Sequence, residues 1–262
     1  MHELQKIALL IDADNTQLAK LEAVIREMST HGRIVVKRAY GNWKKDTLKN
    51  WENELKRLAI KAEQQFDYVS GKNATDMALV IDTMVLLHRG IYDAFVIVAS
   101  DSDYTPLAIQ LHESGVYVIG VGEKRTPEAF RNSCDEFIFL ENLDNTVPEA
   151  AQKKERSPRS SGAKKPPEDT AEPEELPEAT EKDEDIDEIH RLLLIAWDKY
   201  QDDDGYANIS LAGQFIKRFK PDFDVRTYGF VKLTKLIAAF PAKYEMKKFP
   251  GKGTKIIAYR CK

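Results

Sequence analysis

Residues 1–147 alternate between short apolar segments and longer segments with helical periodicity, and this alternation constrains the fold more than any other feature of the chain. Six apolar segments are typical of strands: IALLID, RIVVKRAY, a weaker FDYVSG, AFVIVAS, VYVIGVG and EFIFL. Helical periodicity covers residues 16–32, 46–62, 75–90 and 105–115. Repeated strand, helix, strand units predict a parallel sheet covered on both faces. The sequence therefore predicts an α/β, Rossmann-like three-layer domain over residues 1–147.

The segment that follows differs from the rest of the chain in composition. It is rich in Pro, Glu, Lys and Ser and nearly empty of large apolar side chains. Burial therefore cannot offset the entropy of ordering it. We predict a disordered, acidic linker over residues 148–186.

Residues 187–262 have a third pattern. Helical periodicity covers residues 187–200, 211–219 and 225–240, and Pro221 ends the second of these helices. The segments YEMKKF and TKIIAYR then flank PGKG, which is typical of a hairpin. Three helices followed by a basic hairpin predict a small winged-helix domain.

Charge is distributed unevenly along the chain, although the formal net charge is only −4. Residues 148–188 hold about 14 acidic and about 7 basic residues, whereas residues 189–262 hold about 7 acidic and about 15 basic ones. A basic C-terminal block on an acidic chain indicates a polyanionic partner. The alternative is a surface of solvated lysines without a partner.

The cysteines and the N-terminal residues exclude several classes of protein. Cys134 and Cys261 lie far apart and form no metal-type spacing, so neither a disulfide framework nor a zinc site is indicated. The first apolar segment is too short for a signal peptide or a membrane span. We expect a soluble, cytoplasmic protein with no membrane partner, and the sequence leaves homo-oligomerisation open.

Acidic side chains follow the predicted strands at the points where these strands end. Asp12 and Asp14 close the first strand, and Asp101 and Asp103 follow AFVIVAS, while Asp76 lies at the start of a helix. Each acid could simply cap or favour a helix. However, the carboxyl ends of parallel strands share one edge, so Asp12, Asp101 and Asp103 should point into one crevice. Such a cluster predicts a hard divalent ion, Mg²⁺ or Mn²⁺, as its resident.

Two enzyme hypotheses compete for this cluster. The run from Asp12 to Thr16 resembles the first motif of haloacid-dehalogenase-type phosphatases, in which the first Asp is the nucleophile and the second the acid/base. That chemistry also needs a lone Ser or Thr after a strand and a helix-borne Lys, and no strand clearly ends in this way.

A second resemblance spans nearly all of residues 5–145. The motifs are, in order, IDADN, YGNW, KNATD, ASDSDY, VYVIGVG and EFIFLENL. Together they resemble the NYN domain, a relative of the PIN and FLAP nucleases. The resemblance implies a PIN-like nuclease fold in which Asp12, Asp76 and Asp101 hold the metal, with Asp103 as a fourth acid. It further implies that Asn15 and Ser100 give polar support to the site.

The C-terminal pattern narrows the substrate. Its initial helix, the Gly205-Tyr206 turn, Pro221 and Tyr228-Gly229 resemble a LOTUS domain, also called OST-HTH, and this resemblance implies RNA binding. In bacteria such domains often accompany NYN domains on one chain. Basic side chains on both domains could contact RNA phosphates: Lys72, Lys124, Arg125, Lys232, Lys235, Lys247, Lys248, Lys252 and Lys255. Tyr40 or Trp43 could stack on bases.

The leading hypothesis is a Mg²⁺- or Mn²⁺-dependent ribonuclease that hydrolyses RNA phosphodiesters and carries an RNA-binding domain. The first alternative is an RNA-binding regulatory protein whose acidic cluster is weak or silent. The haloacid-dehalogenase-like phosphatase is the third hypothesis.

Overall fold

The computed structural model describes residues 4–67, 73–145, 181–250 and 255–262, which form an N-terminal and a C-terminal domain. Residues 148–180 of the predicted linker lie outside the described residues. The first C-terminal helix begins at Glu181, six residues before the predicted domain start at Asp187. No helix within the described ranges is long and apolar enough to cross a membrane.

The N-terminal domain is built on a six-stranded parallel sheet with the strand order β3-β2-β1-β4-β5-β6. Its strands are β1 (Leu4–Asp12), β2 (Gly32–Gly41), β3 (Lys61–Gln64), β4 (Ala94–Val98), β5 (Tyr117–Gly122) and β6 (Glu136–Phe139). Its helices are α1 (Leu21–His31), α2 (Trp51–Arg57), α3 (Ala74–His88), α4 (Thr105–Glu113) and α5 (Glu128–Asn132). The predicted α/β parallel sheet is thereby confirmed.

Two apolar cores lie on opposite faces of this sheet, because successive residues of a strand point to opposite sides. In β1, Ile7, Leu9 and Ile11 belong to one core, together with Val24 of α1. Ala8 and Leu10 belong to the other core, which also receives the apolar side chains of α3 and α4. Both faces are therefore buried, as the continuous apolar run predicts.

The prediction for the third strand was wrong in position. The strand is β3, whose first two residues fall in the segment predicted as a helix over residues 46–62. Phe66 and Asp67 of FDYVSG lie in no strand, and the rest of that segment lies outside the described residues. Helix α2 ends at Arg57, and Ala59 then adopts a left-handed conformation with φ 51° that redirects the chain. As an edge strand with largely exposed side chains, β3 has no apolar run that sequence patterns could detect.

The C-terminal domain contains three helices and a three-stranded antiparallel sheet, in the order β7-β9-β8. Its elements are α6 (Glu181–Tyr200), β7 (Ala207–Asn208), α7 (Ile209–Phe219), α8 (Leu233–Ala238), β8 (Tyr244–Pro250) and β9 (Lys255–Cys261). The predicted hairpin is confirmed. The predicted helix over residues 225–240 is instead a 3-10 turn, Val225–Tyr228, followed by α8, because Gly229 ends the turn at φ 80°.

Candidate functional site

Asp12 is the best supported side chain at the carboxyl edge of the sheet. It ends β1, is fully buried, and accepts hydrogen bonds at Oδ1 from the backbone N–H groups of Asp14 (3.1 Å) and Asn15 (3.3 Å). The Asn15 side chain donates to Oδ2 at 2.9 Å. Helix α1 begins only at Leu21, and no side chain caps it. Asp14 and Asn15 therefore do not cap this helix, and the capping interpretation of this motif is wrong.

Tyr104 connects the acid of β1 with the acid of α3. Its hydroxyl lies 3.1 Å from Oδ2 of Asp12 and 2.7 Å from Oδ1 of Asp76. The ring itself is fully buried. The two carboxylates, 64 positions apart in the sequence, thus share one donor. No role was predicted for Tyr104 from the sequence, because an aromatic residue at the start of a helix is typical of a core position.

Asp101 and Asp103 lie in the loop after β4. Asp101 Oδ1 accepts a hydrogen bond from the backbone N–H of Asp103 at 3.0 Å and caps a short 3-10 helix. Asp103 accepts at Oδ2 from the side chain of Asn73 at 2.7 Å. Asn73 precedes α3, so this hydrogen bond joins the loop after β4 to the helix that carries Asp76.

Asp14 takes part in a second network that sequence analysis missed. The hydroxyl of Thr75 donates to its Oδ2 at 2.9 Å, and Nζ of Lys45 lies 3.2 Å from its Oδ1. Lys45 also pairs with Asp67 at 3.4 Å. Asp14 was predicted neither as a metal ligand nor as polar support. It is held by Thr75 of α3 and by Lys45.

The acids of the cluster lie close enough together to shift one another's pKa values. Burial, opposed by the hydrogen bond from Asn15 and assisted by the charge of Asp76, raises the pKa of Asp12 to about 6. Burial also raises the pKa of Asp76, and the charges of Asp101, Asp103 and Asp14 raise it further. Mutual repulsion of this kind is relieved by a cation.

A cavity of about 280 Å³ opens next to these acids. It is lined by Asn15, Ser100, Asp101, Ser102, Arg125 and Pro127. Ser100 accepts a hydrogen bond at Oγ from the backbone N–H of Glu123 at 2.9 Å, which ties the loop after β4 to the end of β5. The guanidinium of Arg125 is largely exposed at the rim and pairs with Glu123 at 2.5 Å. The cavity therefore combines acidic and basic side chains.

The donor chemistry of this edge fits a hard divalent cation, since its side-chain donors are carboxylate, amide and hydroxyl oxygens. Within the described residues, however, no three acidic, histidine or cysteine side chains converge in the arrangement of a metal site. Asp12 and Asp76 are brought together by Tyr104, whereas Asp101 and Asp103 act on Asp76 through their charges. The assignment of these four acids as metal ligands stays a prediction.

The other residues of the N-terminal domain that were predicted to contact RNA differ in burial and in hydrogen-bond partners. Lys72 lies outside the described residues. The backbone N–H of Lys124 donates to Glu141 at 3.0 Å. Tyr40 is buried and its hydroxyl donates to Asp82, while the indole N–H of Trp43 donates to the Glu63 carbonyl at 3.1 Å. The proposal that Tyr40 stacks on bases was therefore wrong, because its ring belongs to the core.

The predicted basic contacts of the C-terminal domain lie on two elements. Lys232 precedes α8 and Lys235 lies in it, and both are exposed. Lys247 and Lys248 are exposed on β8. Lys255 begins β9, and Lys252 lies outside the described residues.

An aromatic and basic cluster joins the residue before β7 to the hairpin of β8 and β9. The Lys247 ammonium lies 5.4 Å from the ring centroid of Tyr206 and 5.1 Å from that of Phe249, and the Arg260 guanidinium lies 5.1 Å from Tyr206. The two rings meet edge to face at 5.6 Å. We call these four residues the wing cluster. Only Lys247 was predicted from the sequence, because the pairing of β8 with β9 is needed to bring Arg260 beside it.

The fold and the acidic edge define the N-terminal domain as a PIN-like α/β domain of the nuclease type. The NYN domain model matches residues 6–141, and the chain belongs to the NYN domain family. The OST-HTH/LOTUS domain model matches residues 181–256. The suspected architecture is thereby confirmed, and it joins a nuclease-type domain to an RNA-binding type of domain.

Two solved structures are similar to parts of the chain. One is the crystal structure of a protein of unknown function from Vibrio parahaemolyticus, with 14% identity, a TM-score of 0.46, and coverage of 55% of this chain and 97% of that one. The other is the solution NMR structure of an uncharacterized protein from Nitrosomonas europaea, with 27% identity, a TM-score of 0.26, and coverage of 39% and 92%. Comparison with curated proteins found no match.

Proposed function

We propose that this protein is a Mg²⁺- or Mn²⁺-dependent ribonuclease whose C-terminal domain binds the RNA. The observation that carries the proposal is the acidic cluster at the carboxyl edge, where Asp12 and Asp76 share the hydroxyl of Tyr104. The charges of Asp101 and Asp103 act on Asp76 in the same crevice. An edge of this kind, in a domain of the NYN family, supports phosphodiester hydrolysis.

The residues of the site have separate tasks in this proposal. Asp12, Asp76, Asp101 and Asp103 would hold the metal, which supplies a water of lowered pKa and stabilises charge on the phosphodiester oxygens. Asn15 orients the Asp12 carboxylate through its 2.9 Å hydrogen bond. Ser100 fixes the loop that carries Asp101, and Arg125 binds a phosphate of the RNA backbone from the cavity rim.

The RNA partner is supported by the second domain. Its sequence matches the OST-HTH/LOTUS model, and its exposed lysines lie on α8 and on the hairpin. In the wing cluster the ring of Phe249 is partly exposed beside Lys247, whereas Tyr206 is buried beneath them. An accessible ring beside a cation is the combination on which bases of single-stranded RNA stack. We therefore propose that RNA contacts α8 and the wing cluster, together with Lys248 and Lys255.

One observation favours the second hypothesis, a silent RNA-binding protein. The oxygens of Asp12 already accept three hydrogen bonds from Asp14 and Asn15, and the hydroxyl of Tyr104, a fourth donor, lies between Asp12 and Asp76. A metal that contacts both acids must displace this hydroxyl or bind beside it. The phosphatase hypothesis is disfavoured, because a fully buried Asp12 with these four donors is poorly placed as a nucleophile.

The test is a time course with labelled single-stranded and structured RNA, in Mg²⁺, Mn²⁺ or EDTA, for the wild type and an Asp101→Asn variant. A matched Asp198→Asn variant changes an exposed acid of α6 and controls for charge. Cleavage that requires the metal and is lost only in Asp101→Asn supports the ribonuclease. RNA that stays intact but is retarded on a gel establishes the silent binder. Turnover of a small phosphomonoester, lost in Asp12→Asn, would establish the phosphatase.

A further inference from the structure

The two domains contact each other directly through a charged surface. On the N-terminal domain this docking surface comprises Glu27, His31, Arg131, Glu136, Phe137 and Asn142. It lies along β6, at the ends of α1 and α5 that are remote from the acidic edge, and in the segment that follows β6. Residues of α7 and of the turn that follows it face this surface.

The central contact of the docking surface is a buried carboxylate between two bases. Glu136 begins β6, and its side chain is only 10% exposed. It pairs with Lys217 of α7 and lies 3.4 Å from Nε2 of His31. A carboxylate buried to this degree is costly unless it is paired. The C-terminal domain supplies one of its two partners, so separation of the domains would leave Glu136 without Lys217.

A second group of contacts joins the α7–α8 connection to β6 and α5. The backbone N–H of Phe137 donates to the carbonyl of Pro221 at 2.9 Å. Asp222, which is 93% buried, pairs with Arg131 of α5. Because Pro221 and Asp222 are consecutive, these two contacts fix both the position and the direction of this turn on the sheet edge.

A third group lies on α1 and the segment after β6. Arg226 lies 3.2 Å from Glu27 and is itself held by Asp224 at 2.7 Å. The buried side chain of Asn142 donates to Thr227 at 2.9 Å and to Asp224 at 3.3 Å. Three separate groups of contacts define one orientation of a rigid body, whereas a single contact would allow rotation.

The docking surface leaves the acidic edge open. Glu136 is the first residue of the outermost strand, and His31 is the last residue of α1, so both lie at the amino ends of the strands. Asp12 and the loop with Asp101 lie at the carboxyl ends of β1 and β4, with β5 between β4 and β6. Asn142 follows the carboxyl end of β6, but every residue that lines the cavity at the acidic edge belongs to the N-terminal domain. The docked domain therefore stands beside the crevice and does not cover it.

We propose that the C-terminal domain is held in this single orientation, so that the protein cuts RNA at a fixed distance from the point where the C-terminal domain holds it. The cutting distance rests on the proposed ribonuclease function, whereas the docking itself does not. A domain joined only by a flexible linker raises the local concentration of RNA over a range of distances. Paired buried charges instead restrict the domain to one orientation.

Docking is tested first, by small-angle X-ray scattering of the full chain, without any RNA. Lys217→Glu places two acids together at Glu136, and adding Arg226→Glu removes the pair with Glu27. We expect a larger radius of gyration in the single variant and a further increase in the double variant. Glu136→Lys combined with Lys217→Glu restores an opposite-charge pair and should restore the compact value. The control is Arg218→Glu, the same charge change at the exposed neighbour on α7. Circular dichroism verifies folding of each variant.

The cutting distance is tested with RNA held at a known point. A 5′-labelled, mixed-sequence single-stranded RNA is attached through a 3′-thiol to Lys248→Cys, in a Cys261→Ser background, and its cleavage products are mapped in Mn²⁺. The docked protein should cut a few adjacent phosphodiesters. The Lys217→Glu, Arg226→Glu variant should cut over a much wider range, and the Arg218→Glu control should keep the narrow pattern.

The outcomes separate the two parts of the proposal. Wild-type scattering that fits separated domains, or a compact value that survives both charge reversals, overturns the docking. A wild-type cutting pattern as wide as that of the double variant overturns the fixed distance. If neither the wild type nor any variant cuts RNA, the ribonuclease function and the cutting distance fail together. The scattering experiment still decides the docking.

Discussion

The hydroxyl of Tyr104 donates a hydrogen bond to the carboxylate of Asp76 at 2.7 Å. Since a phenol carries one proton and Asp12 lies 3.1 Å from the same oxygen, this hydroxyl serves two acids but donates to one at a time. Tyr104 thus positions the acidic pair without itself being a ligand or an acid of the proposed reaction. Burial and both carboxylates raise the pKa of this phenol, so it remains a donor at neutral pH.

Tyr104→Phe tests this positioning role. Loss of a hydrogen bond to a charged group should lower the free energy of unfolding by about 2 kcal/mol in EDTA. Cleavage should fall about tenfold, and the midpoint of a Mn²⁺ titration should shift, because Asp12 and Asp76 lose their common donor. Denaturant unfolding and metal-dependent cleavage measure these effects.

The control is Tyr92→Phe, which removes the hydroxyl of another buried tyrosine whose ring packs against Phe95. A purely structural role for Tyr104 predicts a loss of stability with an unchanged Mn²⁺ midpoint. That combination would contradict the positioning role.

Asp76→Asn should separate stability from activity. The pKa of Asp76 is raised by burial and then by three neighbouring acids, so its charged form destabilises the metal-free fold. The amide keeps an acceptor for Tyr104 and removes the repulsion. We expect a gain in unfolding free energy in EDTA, with loss of cleavage. Thermal unfolding with and without Mg²⁺ checks this, and stabilisation by Asp198→Asn to the same extent would count against it.

Phe249→Ala tests the wing cluster. If a base stacks on this ring, its removal should weaken the binding of single-stranded RNA about tenfold, at unchanged protein stability. Fluorescence anisotropy with a labelled RNA in EDTA measures the affinity without cleavage. Phe219→Ala is the control, since it removes an exposed phenylalanine of the same domain, at the end of α7, whereas Phe249 is partly buried. Equal losses in both variants would show that the wing cluster has no special role.

The stability of the fold should depend on pH through His31. The hydrogen bond to Glu136 raises the pKa of His31, whereas burial and the charge of Lys217 oppose this, and the carbonyl of Glu27 also supports it. A raised histidine pKa stabilises the folded chain below the ordinary value of 6.5, and this stabilisation is lost as the pH rises through the raised pKa.

The opposite limit comes from Glu136. Burial alone would raise its pKa, but His31 and Lys217 lower it from 4.5 to about 2. Its stabilisation is therefore present above pH 4.5 and lost as the pH falls toward 2. The folded chain should therefore be most stable between pH 4.5 and pH 6.5.

Denaturant unfolding of the full chain from pH 6 to pH 8.5 should therefore show a falling free energy of unfolding in the wild type. The profile of His31→Gln should be flat over the same range. A wild-type profile that is equally flat would contradict the assignment of this dependence to His31.

The sequence predicted the strands that carry several apolar residues and missed β3, which carries almost none. β1, β4, β5 and β6 were found because their apolar runs are continuous. β3 was missed because it is a polar edge strand, and the third C-terminal helix was predicted too long because Gly229 interrupts it. Local pattern predicts burial well, but it does not report strand order or where a single glycine turns the chain.

The acidic edge was predictable in outline only. The rule that parallel strands share one carboxyl edge brought Asp12, Asp101 and Asp103 together from the sequence. The links through Tyr104 and Asn73 depend on side-chain directions that pattern does not contain. The pair of Glu136 with Lys217 joins positions 81 residues apart in different domains. Nothing in the composition of either segment indicates such a partner.

The hydrogen bond from Phe137 to Pro221 has a consequence for how this protein can be handled. β6 is the outermost strand, and without the C-terminal domain its free backbone groups would be open to pairing with a strand of another molecule. A protein shortened to the NYN domain would therefore expose an unpaired strand edge and tend to aggregate. The second domain thus also covers the strand edge through which the first domain could associate with another copy.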